Sequence, residues 1–341
     1  MRALAQAGVR ACALDKADFP RHKPCGGGIS IRTVAELDFE WKDLVEAAPR
    51  TIEFALRDLY PVRKESEAPF LLVMRSEFDA RLLERAIEAG GRFYPHHLVQ
   101  GVEVDENGVV VQTDRGLFHA PVVIGADGAK GCVARSIGLH SRAHGIALDA
   151  EIEAPPEVVA EYQDSVYFSF ADPPWGYSWI SPKRRTLSAG VGKVTQRIGS
   201  LKETLNRFLQ GKKLSGYPMR LFGHPVPLWS GQQRHAAPRA LLVGDAAGLV
   251  DPLMGEGIAY AVKSGKIAAH HVTRALESGD FSFEGYSVDI NAGIGLELTR
   301  AGDFAHRFYT FPRIFHLYQL GMMGVDTWDA SQQSTGKVVQ R

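Results

Sequence analysis

Runs of apolar residues that end beside glycine or aspartate recur along the chain and predict buried strands joined to helices. One run covers Val9 to Leu14, follows a helical segment that ends at Gly8, and is followed by Asp15. A helix and then a buried strand ending in an acid is typical of the second half of a dinucleotide-binding βαβ unit, where the carboxylate binds ribose hydroxyls. A surface acid gives the same pattern, so this segment alone leaves both interpretations open.

The first half of such a unit, a strand followed by GxGxxG, is absent from this sequence. Backbone N–H groups of that glycine turn normally bind the pyrophosphate at a helix N-terminus. We therefore expect the chain as given to bind its dinucleotide weakly. An absorbance spectrum of the purified chain should show a low occupancy of the chromophore.

Two further apolar runs predict strands that end beside ligand-binding turns. Residues 122–125 precede Asp127, and residues 240–244 precede Asp245. Continuous apolar runs are expected of strands covered on both faces, and doubly wound sheets bind ligands at the carboxyl ends of such strands. After Asp245, small residues around Gly257 open a helix whose dipole favours negative charge at its N-terminus. A turn or N-cap acid is the alternative role for Asp245.

Strict alternation of apolar positions marks the middle of the chain, at 166–170 and 187–191. Between these segments, Tyr177 and Trp179 alternate on a predicted strand and so face one side of a sheet. Lys183 shares that face at the strand end, where we expect it to be solvated. The aromatic pair either lines a cavity or packs in the core, which is the commoner position of such side chains.

The patterns predict an α/β fold of three regions. They are a doubly wound dinucleotide-binding domain (1–40, 64–142 and 228–280), an antiparallel-sheet substrate domain (41–63 and 143–227) and a helical C-terminal region (281–341).

The C-terminal region is rich in aromatic residues, and Pro312 should split its helix. The aromatic segment comprises Phe304, Phe308, Phe311, Phe315 and Leu320. We expect this region to pack on the main body. An in-plane membrane contact is the alternative, and vesicle co-sedimentation unchanged by deleting the residues after Asp303 would exclude it.

Composition excludes several classes of protein. The 341 residues are 45% hydrophobic and 23% charged, and 39 basic residues balance 39 acidic ones, so no net field attracts nucleic acid. The three cysteines form no CxxC pair, and the histidine pairs at 96–97 and 270–271 lack carboxylate spacing, so we expect neither a disulfide framework nor a metal site. Without a spanning apolar run or a secretory signal, we expect a soluble or peripherally attached cytoplasmic protein.

Taken together, the chain resembles the geranylgeranyl reductase family, within the FAD enzymes built like aromatic hydroxylases. The likeness covers nearly the whole chain and depends on the order of several elements. They are the strand ending at Asp15, Lys23-Pro24-Cys25-Gly26-Gly27-Gly28, Arg75-Ser76-Glu77-Phe78-Asp79, the turns at Asp127 and Asp245, and Tyr177-Ser178-Trp179-Ile180-Ser181-Pro182-Lys183.

The resemblance implies a role for each of these residues. The FAD-binding set comprises Asp15 at the adenosine ribose, Cys25, Gly26 and Gly28 along the flavin ring, Arg75 at the phosphates or ribityl chain, Val99 at adenine, Asp245 at the ribityl or pyrophosphate part, the N–H groups of Gly257 and Ile258 at the pyrimidine edge, and Asp127 as a further cofactor-binding residue. Tyr177, Trp179 and Lys183 would line a prenyl-substrate cavity. Two departures from the family pattern are the absent GxGxxG and Ser181, which stands where the family has an aromatic residue.

The implied function is the FAD-dependent reduction of C=C bonds in an isoprenoid chain, carried by a prenyl lipid or prenyl pyrophosphate. NAD(P)H or another reductant would supply the electrons, and Cys25 and Tyr177 are the candidate proton donors. A flavin monooxygenase or halogenase shares the fold, although halogenases carry WxWxIP where this chain has Tyr177-x-Trp179-x-Ser181-Pro182. A non-catalytic lipid- or quinone-binding protein is the third alternative.

Overall fold

The computed structural model of the protein describes residues 1–139, 145–194 and 200–314. Phe315 and Leu320 of the predicted aromatic segment lie outside the described residues. In the described residues the strands are β1 (Cys12–Leu14), β2 (Gly28–Ile29), β3 (Val45–Ala47), β4 (Thr51–Leu56), β5 (Leu59–Glu65), β6 (Leu71–Val73), β7 (Arg92–Tyr94), β8 (Val99–Val104), β9 (Val109–Thr113), β10 (Gly116–Ala120), β11 (Val123–Gly125), β12 (Gly145–Ile152), β13 (Ser165–Phe170), β14 (Gly176–Pro182), β15 (Leu187–Lys193), β16 (Met219–Val226), β17 (Ala236–Ala237) and β18 (Ala240–Leu242).

The α-helices of the same ranges are α1 (Arg2–Gln6), α2 (Ile31–Ala35), α3 (Arg75–Glu88), α4 (Val133–Ser136), α5 (Pro156–Ala160), α6 (Leu201–Gly211), α7 (Ile258–Ser278), α8 (Glu284–Ile290) and α9 (Leu296–Thr310). A 3₁₀ turn covers Gly244–Ala247, and a π-helical turn at Asn291–Gly295 joins α8 to α9. The predicted start of α7 at Ile258 is confirmed, and Gly279 ends this helix at a φ of +78°, the left-handed conformation common at helix C-termini.

The dinucleotide-binding part contains short parallel pairs, as the apolar runs predict. β1 pairs with β7, and β11 pairs with β18, so Asp127 and Asp245 follow the carboxyl ends of neighbouring strands. The helices α1 and α7 and the strands β11 and β18 contribute to one hydrophobic core with Leu4, Leu241 and Tyr260. The α/β class is confirmed, although most strand pairs of the described residues are antiparallel.

A seven-stranded sheet in the order β16-β12-β15-β14-β13-β4-β5 dominates the middle of the chain. The prediction of an antiparallel sheet holds for all its pairs except β13 with β4, which run parallel. The long stretch of chain between β4 and β13 allows this exception, because a parallel pair needs a crossover rather than a hairpin. Against one face of the sheet, α6 packs Leu205 and Leu209 onto Ile180, Leu187 and Val191.

The C-terminal helices pack against the body. Ala305 and Tyr309 of α9 are buried, and the Tyr309 hydroxyl donates a hydrogen bond to the Leu253 carbonyl at 3.1 Å. The helix ends at Thr310, and a separate helical turn follows from Pro312, which confirms the predicted split. Within the described residues, no helix combines the length and apolar character needed to cross a membrane.

Candidate functional site

The second face of the seven-stranded sheet, opposite α6, gathers the three predicted substrate residues, and we call it the site face. Strand register divides it into two halves. Its aromatic half consists of Phe54, Phe168, Phe170, Tyr177 and Trp179, and its polar half of Asp149, Glu151, Ser181, Lys183 and Ser188. As predicted, Tyr177 and Trp179 lie side by side, with ring centroids 5.8 Å apart.

Gly190 separates the two halves and makes room for the Trp179 indole. It stands opposite Trp179 on β14 and opposite Asp149 on β12. A Cβ at this position would lie 2.2 Å from Trp179 Cζ2, well inside van der Waals contact. Sequence reasoning did not single out Gly190, because a glycine inside a strand signals close approach without identifying the partner.

The Cys25–Gly28 loop crosses the site face, and its glycines fit it to the protein. A Cβ on Gly26 would lie 3.3 Å from Trp179 Nε1, and one on Gly28 would lie 2.9 Å from the Phe70 ring. Gly27 adopts a φ of +76°, and a Cβ at this position would meet the Val73 carbonyl oxygen. The sequence suggested that these glycines let a flat ring approach the backbone. In the structure, protein atoms occupy the space that a Cβ at each glycine would take.

Lys183 is buried and holds this loop through hydrogen bonds, so the expectation that it is solvated is wrong. The side chain is 3% exposed, and Nζ donates hydrogen bonds to the carbonyls of Gly26 at 2.6 Å and Val73 at 3.0 Å. Burial lowers the pKa of Lys183 to about 8, against the opposing effects of Cys25 and Asp149. The strand carries Lys183 under the loop because its position continues the Tyr177 and Trp179 side of β14.

Arg75 opens α3, as predicted, and is part of a charge network rather than a surface residue. Its guanidinium binds both Asp79 oxygens, at 2.8 and 2.9 Å. Asp79 also accepts a hydrogen bond from Arg21 at 3.2 Å, and Arg21 lies 4.0 Å from Asp15. Burial opposes the charge on Arg75, but Cys25 and Asp79 raise its pKa overall. The network therefore connects Asp15, at the end of β1, with the Cys25 loop.

Cys25 and Tyr177, the two candidate proton donors, differ in their surroundings. Cys25 lines a polar pocket with Arg75 and Lys183, and its Sγ accepts a hydrogen bond from the Gly27 N–H at 3.3 Å. The Tyr177 hydroxyl instead donates to the carbonyl of Met254. Burial raises the pKa of Tyr177, so its proton is both engaged and weakly acidic.

The segment that Tyr177 contacts leads into α7. Asp245 lies 3.7 Å from Lys23 Nζ, and a Cβ on Gly257 would lie 3.3 Å from Asp245 Oδ1. Gly257 is the N-cap of α7, no side chain caps this end, and the first turn beginning at Ile258 contains no acid. The structure therefore brings Asp245, Gly257 and Ile258 together beside the segment that carries Lys23 and Cys25.

Val99 and Asp127 lie around the start of α4. Asp127 Oδ2 accepts a hydrogen bond from the Val133 N–H at 3.0 Å, and the Val99 carbonyl accepts one from Cys132 Sγ at 3.5 Å. Asp127 is connected to Asp245 through a sheet, because β11, which ends before Asp127, pairs with β18, which ends before Asp245. Val99 lies on β8, in a separate sheet with β9 and β10.

Asp149, Ser188 and His22 were missed by sequence reasoning, although they line the same pocket as Cys25 and Lys183. Asp149 is isolated between apolar residues on β12, and Ser188 follows Leu187 on β15. Alternation alone could have placed both on one face of their strands, but only the pairing of β12 with β15 brings them together.

Comparison with known proteins shows the family. The model of the FAD binding domain matches residues 2–203, so the chain belongs to this group of flavoproteins. It is also 32% identical over 291 residues to geranylgeranyl diphosphate reductase of Rhodobacter capsulatus, covering 81% of this chain and 72% of that one. Identity to digeranylgeranylglycerophospholipid reductase 1 of Methanopyrus kandleri is 30%, over 82% of this chain and 78% of that one. The chain belongs to the geranylgeranyl reductase family.

Other comparisons concern length and fold. The chain is 30% identical to the chloroplastic geranylgeranyl diphosphate reductase of Arabidopsis thaliana, over 81% of its own length but only 63% of that protein. The structure of a geranylgeranyl bacteriochlorophyll reductase-like protein from Thermoplasma acidophilum superposes with a TM-score of 0.80 at 24% identity, covering 90% of this chain and 83% of that one. A flavin-dependent brominase shares the fold at a TM-score of 0.74 and 15% identity, over 97% of this chain and 88% of that one.

The residues present fit the FAD that the family implies. The N-terminus of the 21-residue helix α7 has no capping side chain, as expected where backbone N–H groups bind an anionic ligand. Three cations, Lys23, Arg75 and Lys183, lie around the Cys25 loop in a pocket that Asp149 and Glu151 also line. Cations beside this loop would favour a group such as a reduced flavin, which gains negative charge on reduction.

Proposed function

We propose that the protein is an FAD-dependent reductase that hydrogenates C=C bonds of an isoprenoid chain, with NAD(P)H or another reductant as electron donor. The observation that carries the proposal is the position of β14. One face of β14, continued by Lys183 directly after it, runs from Lys183 under the Cys25–Gly28 loop, through Trp179, to Tyr177 against the turn before α7. One strand thus joins the proposed flavin loop to the aromatic half of the site face.

FAD would be held by the residues that the family resemblance assigns. We propose that Asp15, Arg75, Val99, Asp127, Asp245, Gly257 and Ile258 bind its adenosine, phosphate, ribityl and pyrimidine parts, and that Cys25, Gly26 and Gly28 lie along the ring. When bound and reduced, FAD supplies the hydride. The protein orients the two reactants and excludes water from between them.

The aromatic half suits an isoprenoid chain. Phe168 and Phe170 are buried beside Tyr177, and Phe308 of α9 meets the Phe170 ring edge to face at 4.9 Å. Apolar rings stabilise an apolar chain by roughly 25 cal/mol per Å² of surface removed from water. Tyr177 acts here as a positioning residue, because its hydroxyl ties β14 to Met254 at the entry to α7.

Ser181 sets how closely the Cys25–Gly28 loop approaches β14. Its Oγ is 3.4 Å from the position of a Cβ on Gly26, so the small side chain lets the loop approach β14 closely. An aromatic residue at this position, as in the family pattern, would need the loop to move outward. We infer that the prenyl chain extends over Tyr177 and Trp179 rather than toward Ser181.

The experiment is an anaerobic assay of the protein supplied with FAD and dithionite. Geranylgeranyl diphosphate and digeranylgeranylglycerophospholipid serve as alternative substrates, and mass spectrometry should show the gain of two hydrogen atoms for each reduced bond. A parallel sample without FAD is the control.

Three outcomes contradict the proposal. In a parallel aerobic assay with NAD(P)H and a halide salt, oxygen uptake with an oxygenated product indicates a monooxygenase, and a halogenated product indicates a halogenase. Prenyl binding without retention of any FAD indicates the lipid-binding alternative.

A further inference from the structure

A buried carboxyl group in the polar half of the site face has no part in the function described so far. Asp149 is 5% exposed and lines the pocket that also contains Cys25 and Arg75. Its Oδ1 accepts a hydrogen bond from Ser188 Oγ at 2.7 Å, and Ser188 Oγ accepts one from Trp179 Nε1 at 3.4 Å. The carboxyl is therefore linked to the boundary with the aromatic half.

The ion pairs of this region are formed by residues near Asp149 and not by Asp149 itself. Glu151 accepts a hydrogen bond from Arg220 at 2.9 Å, and Arg75 pairs with Asp79. Within ranges 1–139, 145–194 and 200–314, Asp149 forms no ion pair within 4.0 Å. Burial raises its pKa, against the opposing effects of Ser188 and Lys183. These surroundings favour the neutral acid, which carries a proton into the pocket.

Two other acids of the site, Tyr177 and Lys183, are less suited to give a proton. The Tyr177 hydroxyl is committed to a carbonyl, and the Lys183 ammonium uses two of its donors on the carbonyls of Gly26 and Val73. Loss of a proton from Lys183 would weaken the contacts that hold the loop. Asp149 can ionise while keeping its hydrogen bond from Ser188, because a carboxylate accepts that bond as well as the neutral acid does.

We propose that Asp149 is the proton donor for the reduction, an inference that rests on the proposed function. Bound and reduced FAD would supply the hydride for a C–H bond at one alkene carbon as the π bond breaks, and the Asp149 carboxyl gives its proton to the other carbon. One hydride and one proton are consumed for each bond saturated. Asp149 is left as a carboxylate and must be reprotonated before the next turnover.

His22 provides the route back from solvent. Its side chain is 35% exposed, its ring stacks on Phe222 of β16 at 4.0 Å, and Nδ1 lies 3.7 Å from Glu151 Oε2. Glu151 is two residues from Asp149 on the same face of β12. The groups that face Asp149 are thus His22 from the loop, Lys183 from the end of β14, Ser188 from β15 and Glu151 from β12. A proton from water can reach Asp149 past His22 and Glu151.

The decisive variant is Asp149→Asn, which keeps the shape and the acceptor for Ser188 but cannot give a proton. Difference infrared spectroscopy of the wild-type protein over a pH series should show the carbonyl band of a neutral carboxyl group at neutral pH. That band should be missing in Asp149→Asn and present in the matched variant Glu151→Gln. A wild-type spectrum without the band would overturn the inference whatever the activity.

Stability gives a second measurement that does not depend on catalysis. Burial raises the pKa of Asp149 above the ordinary value of 3.8. The contribution of this carboxyl group to the free energy of unfolding is therefore fully present below pH 3.8, and it is lost as the pH rises through the folded-state pKa. The free energy of unfolding of the wild type should therefore fall relative to Asp149→Asn over this interval. Parallel pH curves for the two proteins would contradict a raised pKa.

Turnover gives the third measurement. With FAD bound to the same extent, Asp149→Asn should reduce the prenyl substrate about 100-fold or more slowly than wild type. If Asp149→Asn reduced the prenyl substrate as fast as an active wild type, this would overturn the inference and leave the proposed function standing. A wild type that shows the infrared band but reduces no prenyl chain would overturn the proposed function, and with it the role of Asp149 as donor.

Discussion

Replacing Gly27 by alanine should destabilise the protein by about 3 kcal/mol or more, because two separate costs combine. The backbone φ of +76° is unfavourable for any residue with a Cβ. The added Cβ would also lie 2.1 Å from the Val73 carbonyl oxygen and 2.2 Å from Lys183 Nζ, so the loop would have to lift from β6 and β14. The free energy of unfolding in urea measures this change.

Gly8→Ala is the matched control for this variant. Gly8 has the same φ of +76°, but no atom lies within 4 Å of its missing Cβ. This control should lose only the backbone part, about 1 kcal/mol. Gly27→Ala should in addition weaken FAD binding at least tenfold, which is about 1.4 kcal/mol. Equal stability and equal FAD affinity of the two variants would show that the loop does not depend on Gly27.

Gly190→Ala is expected to impair turnover strongly, by displacing Trp179 from the centre of the site face. The new Cβ would lie 2.2 Å from Trp179 Cζ2 and 2.5 Å from the Leu148 carbonyl oxygen. Overpacking of this kind costs about 1–3 kcal/mol, and a misplacement of about 1 Å in a reactive site can slow a reaction about 100-fold. Prenyl reduction, tryptophan fluorescence and urea unfolding of the variant measure the two effects.

Gly192→Ala provides the comparison in the same strand. A Cβ at Gly192 meets its nearest neighbours, Ala147 Cβ and Trp179 Cζ3, at 3.8 Å, which is ordinary van der Waals contact. This variant should retain most of the activity and the tryptophan spectrum of the wild type. If Gly190→Ala behaves like Gly192→Ala, the position of Trp179 is not important for the reaction.

Local patterns predicted the elements of the site well. The N-terminus of α7 follows from small residues before an apolar period, and the shared face of Tyr177 and Trp179 follows from the geometry of any strand. The helix break at Pro312 likewise depends on a property of one residue. Each of these features is decided within a few residues along the chain.

Features that depend on contacts between distant segments were not predictable in this way. Lys183 is buried because the loop at Gly26 and the strand end at Val73, more than a hundred residues away, supply carbonyl acceptors for its ammonium group. The pairing of β12 with β15 likewise brings Asp149 to Ser188. Periodicity gives the face on which a side chain lies, but the partner across that face depends on strand order and register.

The central claim is that the flavin loop and the aromatic half of the site face meet at β14. Titration of the FAD-loaded protein with geranylgeranyl diphosphate, followed by the visible absorbance of the flavin, tests it most directly. We predict a saturable change in the flavin bands with the same Kd as the accompanying change in tryptophan fluorescence. Saturable binding of the prenyl compound in equilibrium dialysis, with the flavin spectrum unchanged, would contradict the account.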